Sequence, residues 1–249
     1  MISALMLAVI PGVLLPWILI PLRSQLLFAL LPAIPLALVY ARWIASRRPG
    51  LALMGAGLWA VGLSLSTVAA SAFFSEASTK AIWHAGAYRD EMLAWIATGR
   101  GPEGNIHLFL PRLLVEYVLV LALSAVSVGA AALVLGGLLL GYMNGYVGWV
   151  VSHADPSVSH WVAGVLAWPP WAICRVGSFI LAGTAGALWG FPRLYRKDTP
   201  RTPVVRMLVF SLVLLGLDVG LKWWLAPIWR ELLRALLGAS AGIEAGGSG

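Results

Sequence analysis

Four charged residues stand inside otherwise apolar stretches and carry the strongest chemical signal in the sequence: Glu116, Arg175, Asp218 and Lys222. An uncompensated charge at the centre of a bilayer costs from about 2.5 kcal/mol upward, so each of them requires a partner. Asp218 and Lys222 are four residues apart with the acid first, the favourable order for a same-face pair on a helix. Such a pair serves either packing, with the lysine snorkelling to the interface, or coupling-ion binding and gating. The four charges sum to zero, and the sequence predicts that they form one balanced cluster.

The other reactive side chains are less organised. His153 and His160 bracket SHADPSVSH with Asp155 between them, and His84 and His107 lie in another polar stretch. Metal ligation or proton sensing is conceivable at that spacing, but it matches no metal motif, and solvated interfacial histidines are the commoner reading. Serine, histidine and aspartate occur without a nucleophile elbow or an HExxH helix, so catalysis is not expected. Cys174 is alone, which excludes an intramolecular disulfide or a cysteine cluster. No metal or cofactor is expected.

The elements that position these residues follow from composition. Of 249 residues, 60% are hydrophobic and 11% charged, and the mean hydropathy is +0.88. A spanning helix takes about 20 apolar residues, so an all-α polytopic membrane protein of six or seven spans is predicted. The net charge of +7 then speaks of orientation and lipid headgroups rather than nucleic acid.

Along the chain, residues 1–74 form a three-span region. Ile2 to Pro21 lacks a positive leading segment and a cleavage site, so it is read as a span and not a removable signal peptide. Gln25 to Trp43 follows, interrupted by proline, as a kinked span or part of a re-entrant hairpin, and Leu51 to Phe74 is the third. Residues 75–112 are an extramembrane excursion in which Ile82, Ala85, Tyr88, Met92 and Trp95 recur at steps of three and four, predicting an amphipathic helix flat on the bilayer. Residues 113–191 hold a helical hairpin turning near Gly129 to Ala132 or at Gly136 and Gly137, then a span begun by Trp161 to Trp168 and broken at Pro169 and Pro170. Residues 192–249 supply a basic loop, a last span from Val204 to Trp224, an amphipathic tail from Ile228 to Leu237 and a terminal GGSG read as a linker scar.

Arg42, Arg47 and Arg48 fall on one side with Arg193 to Arg206, whereas the loop at Ser152 carries no lysine or arginine. The positive-inside rule then predicts a cytoplasmic amino terminus and an external carboxyl terminus in the cell membrane. At 1.5 Å per residue, Asp218 lies roughly 21 Å from Val204 and Arg175 roughly 24 Å from Phe191, both in the outer third of the core.

The hairpin segment GGLLLGYMNGYVGWV and the following PWAICRVGSFILAGTAGALWG resemble the stage II sporulation protein M family, over about residues 75–191. Asn144, Gly145 and Gly148 match its NG-x-x-G-like element. Pro170, Ala182, Gly183 and Gly186 match its Pro-initiated helix with an AG-x-x-G tail. Where the family pattern has His, Gly and Glu, this sequence has Trp171, Ala172 and Arg175. The resemblance implies a polytopic, noncatalytic scaffold that organises other membrane or cell-envelope proteins, with sporulation itself not implied. Glycine contacts at Gly145 and Gly148 could also build a homo-oligomer. The alternative is a permease or exporter subunit using the charged cluster, which needs an external energy source because no P-loop occurs.

Overall fold

The structure, a computed structural model, describes residues 2–194 and 201–238. Among the described residues there is no strand; the chain is an all-α polytopic membrane protein. Its helices are α1 (Ile2–Leu19), α2 (Gln25–Leu30), α3 (Ile34–Ala45), α4 (Pro49–Phe73), α5 (Ser75–Ala81), α6 (Ala85–Thr98), α7 (Ile106–Ser127), α8 (Ala130–His153), α9 (His160–Ala167), α10 (Ala172–Leu194) and α11 (Arg201–Leu237), with a 3-10 turn at Pro102–Gly104. Six segments are long and apolar enough to cross a bilayer: Gln25–Ala45, Pro49–Phe73, Ile106–Ser127, Ala130–His153, Ala172–Phe191 and Thr202–Leu237. Large apolar side chains such as Leu38, Val126, Ile173 and Phe210 are exposed on these spans, where lipid tails replace water as their solvent.

Helix α1 is shorter, and it runs parallel to α4. Ser66 donates to the carbonyl of Val13, and the Trp17 ring meets Phe73 and Phe74 at the far ends of the two helices. The second segment is one span kinked at residues 31–33. There the carbonyl of Pro32 accepts from Trp59 Nε1 at 2.8 Å, so this backbone group released by the break is satisfied within the protein.

The hairpin turns at Val128 and Gly129, both with positive φ (55° and 93°). A Cβ on Gly129 would also strike the Tyr40 ring, so glycine is required there twice over.

Two predicted boundaries are corrected. The span of α10 does not begin at Trp161: α9 stops at Ala167, Pro169 and Pro170 lie in the link, and α10 starts at Ala172, its backbone N–H donating to the Pro169 carbonyl at 3.0 Å. A proline pair denies the next turn its donors, so the helix ends rather than bends. The last span and the tail are one 37-residue helix, α11, with Pro227 inside it; at 1.5 Å per residue it is about 55 Å long, well beyond the hydrocarbon thickness of about 30 Å.

The apolar stripe of the excursion also has a different partner from the one predicted. Ile82, Ala85, Tyr88, Met92 and Trp95 are all buried, packed with Tyr142, Tyr146 and Val150 of α8 and Trp229 of α11. The stripe thus faces protein instead of lipid. Helices α5, α6 and α9, the 3-10 turn, the loop at Asp155 and the carboxyl end of α11 form a lobe at one end of the bundle, whose surface mixes charged residues with exposed Trp161, Val165 and Ile228. Exposed Arg42, Arg47, Arg48 and Arg206 lie at the other. Arg196, Lys197, the side chains of Arg193 and Arg201, and the terminal GGSG lie outside the described residues.

Candidate functional site

Where the lobe meets the spans, two buried ion pairs lie close together. Arg175 Nε on α10 donates to Asp218 Oδ2 on α11 at 3.0 Å, with Asp218 fully buried. One turn further along α11, Lys222 Nζ reaches Glu103 Oε2 at 2.9 Å, both side chains nearly or fully out of solvent, and its ammonium lies 4.2 Å from the centre of the Phe109 ring. Three of the four predicted cluster residues therefore meet here. Asp218 and Lys222 do not pair with each other; each has a partner on another element.

Glu116 is the exception. It takes Arg112, four residues earlier on the same helix, at 3.3 Å, with Glu91 at 3.9 Å from the same guanidinium. Among the described residues it makes no ion pair with Arg175. A local i, i+4 partner was available and removed the need for a distant one. The fourth member of the neutral set is Glu103, which sequence reasoning missed. Its only local signal is a single acid inside GRGPEGN, and the lysine that binds it lies on a helix more than a hundred residues later.

The residues of the family-like motifs serve helix crossings. Asn144, buried on α8, donates through Nδ2 to Ser64 Oγ on α4 at 3.0 Å and to the Leu140 carbonyl at 2.7 Å, and its Oδ1 accepts from Trp168 Nε1 at 2.9 Å. One amide thus ties α8 to α4 and to the link that carries buried Pro169 and exposed Pro170. Gly148 lets α4 approach so closely that a Cβ there would stand 2.5 Å from the Val68 carbonyl; one on Gly145 would meet Ile82 at 3.1 Å. On α10, a Cβ on Gly186 would stand 2.5 Å from the Leu121 carbonyl of α7, and one on Gly183 3.2 Å from Ser124 Oγ. Small residues at membrane crossings permit such backbone approach. Gly145 and Gly148 are therefore engaged within the chain, and the homo-oligomer expected through them is not supported by their position.

The lobe is fixed to α11 at a second point. Arg230 Nε donates to the carbonyls of Trp95 and Ile96 at 3.1 and 3.0 Å, and Arg230 and Arg234 both donate to that of Ala97. These carbonyls belong to the last turn of α6, where cations are favoured; that of Trp95 also accepts the Gly99 backbone N–H at 2.8 Å. Burial pushes the Tyr88 phenol on α6 well above its ordinary range, with the Glu103 charge adding to the shift, so Tyr88 stays a neutral hydroxyl.

A cavity of about 330 Å³ opens between α4, α7, α8 and α10. Tyr88, Asn144, Tyr146, Trp168, Arg175 and Glu116 line its lobe end, and the rest of its wall is almost wholly apolar. The histidines do not converge. His153 stacks on Trp149 at 4.2 Å, His84 meets the edge of Tyr142, and among the described residues no three metal-ligating side chains are grouped. No protein-family model, curated protein or solved structure matches this chain.

Proposed function

We propose that this chain is a noncatalytic scaffold or assembly factor of the cell membrane, of the kind implied by its resemblance to the stage II sporulation protein M family. The observation that carries this reading is the anchoring of the lobe. A surface that binds partners without chemistry benefits from being preorganised, and this one is fixed to the spans by a buried ion pair at Lys222 and by two arginines on the end of α6. The motif residues Asn144, Gly145, Gly148, Gly183 and Gly186 support the same reading, because they hold helices together and leave no reactive group exposed.

The arginines of the short loops support an amino terminus in the cytoplasm and a lobe outside, since basic residues of the lobe such as Arg89 and Arg112 are accompanied by acids. Arg42, Arg47, Arg48 and Arg206 share the end of the bundle opposite to it. The partners are then membrane or cell-envelope proteins that meet the lobe at the outer surface.

The test is mass spectrometry of proteins that co-purify in mild detergent with the tagged chain from its native membrane, compared with a variant carrying Glu76→Lys and Asp90→Lys, exposed lobe positions away from the anchoring arginines. Near-stoichiometric partners lost in the variant support the scaffold. The cavity favours a second reading, a permease subunit. Co-purification of an ATPase, with solute flux in liposomes that vanishes in Asp218→Asn, would replace the scaffold with it.

A further inference from the structure

The cavity has the form of a receptacle for one hydrocarbon chain. Its wall follows α8 from Ala132 to Val147, about 22 Å of rise out of a core about 30 Å thick, so it runs along the membrane normal. At about 330 Å³ it stands at the small end of ligand pockets, roughly 300–1,000 Å³, and spread over that length it is slender. Beyond its lobe end it is lined by residues such as Ala56, Ala60, Leu133 and Leu139. At Gly57 and Gly136, which also line it, an added Cβ would meet nothing within 4 Å. The hydroxyls of Tyr40, Ser64 and Ser124 also lie in this wall, but water needs two to four polar partners and most of the length is apolar, so an empty cavity forfeits dispersion contacts there. Val61 and Ile173 belong to the wall and are also exposed on the outside of the spans, so the cavity communicates with the lipid tails.

The lobe end offers free donors inside a charge-balanced set, in which Arg175 is matched by Asp218, whose Oδ1 is itself buried without a hydrogen-bond partner. Arg175 is bound to Asp218 through Nε alone; among the described residues no hydrogen bond engages its Nη1 or Nη2, although a guanidinium has five N–H donors in a fork suited to paired oxygens. Tyr146 Oη, in the same wall, is buried without a partner. Glu116 also reaches this end, and its charge is matched by Arg112 at 3.3 Å.

We propose that this cavity binds an amphiphile by one hydrocarbon chain, with a carboxylate or phosphate head held by the terminal nitrogens of Arg175 and by the Tyr146 hydroxyl. The site is separate from the lobe surface on which the scaffold reading rests, and either can fail without the other.

The experiment uses the full chain in nanodiscs of phosphatidylcholine and three photoactivatable probes with twelve-carbon chains: a carboxylate, a phosphate monoester and a neutral alcohol. Peptide mapping is expected to find label within 130–153 and 172–183. The anionic probes should label at least about tenfold more than the alcohol, the ratio that one charge-assisted hydrogen bond supplies. Label from the carboxylate alone identifies a fatty-acid-like ligand, and label from the phosphate a phospholipid or prenyl phosphate; both support the site. Gly57→Leu and Gly136→Leu, placed where the wall leaves open space beside the Cα, should lower labelling about tenfold by the same measure without lowering the melting temperature. Arg175→Gln should abolish the preference for anions; where that variant does not fold, the two leucine variants decide. Undiminished labelling in both leucine variants, or equal labelling by the alcohol, overturns the proposal.

Discussion

Lys222 on α11 holds the carboxylate of Glu103, in the 3-10 turn of the lobe, at 2.9 Å, and both groups are buried, the lysine almost completely. A buried lysine is costly unless paired, and the cost of separating such a pair exceeds the benefit of making it. The contact therefore acts as a lock between lobe and spans.

Removing one partner should be far worse than removing both. Lys222→Met is expected to destabilise the protein by about 3–5 kcal/mol because it leaves a buried carboxylate unpaired. Lys222→Met combined with Glu103→Gln should recover most of that loss. Unfolding curves in mixed micelles for the two single variants and the double variant measure the coupling, and additive losses would contradict it.

Two glycines on the same helix should respond with opposite sign. Gly148→Ala drives a methyl into the Val68 carbonyl and Ser71, and overpacking of this kind costs about 1–3 kcal/mol. Gly136→Ala meets open space and should gain up to about 1 kcal/mol from helix propensity. Melting temperatures of the purified variants in one detergent decide the matter.

Asn144→Leu is nearly isosteric but strips Trp168 and Ser64 of their partner. Leaving those buried groups unsatisfied should cost about 1–3 kcal/mol. The link at 168–171 should loosen first, so limited proteolysis is expected to cut there before the spans unfold, a site that the parent protein protects.

Asp155 lies in a loop outside the spans, and its carboxylate is held below the usual aspartate range by hydrogen bonds from the hydroxyl and backbone N–H of Ser157. Because the folded value is the lower one, this contribution is fully present above the unfolded value of about 3.9 and is lost as pH falls through the folded value. Carbon-13 titration of the side chain should return a midpoint below 3.9, and Ser157→Ala should move it upward; an unchanged midpoint would show that the hydroxyl has no influence.

The spans were legible because each is an apolar run longer than a globular helix requires, and depth counting alone put Arg175 and Asp218 at a common level. Glu103 was not legible: it pairs through space, and nothing in the sequence around Gly101 and Gly104 records a lysine far downstream. Glu116 shows the converse, since counting depth ignored the nearer Arg112. The stripe from Ile82 to Trp95 has the same periodicity whether it meets lipid or another helix, and only the aromatic surface offered by Tyr142, Tyr146 and Trp229 decides which. Pro227 looks like a boundary by composition, yet α11 continues through it.

The unbroken course of α11 has a mechanical consequence. One half of this rod is solvated by lipid tails, while Arg230 and Arg234 on the other half grip the end of α6. Because the helix continues through Pro227, its lipid-facing half and its lobe-binding half are one element, and the lobe is attached to the membrane through α11 as well as through the spans that precede and follow it in sequence.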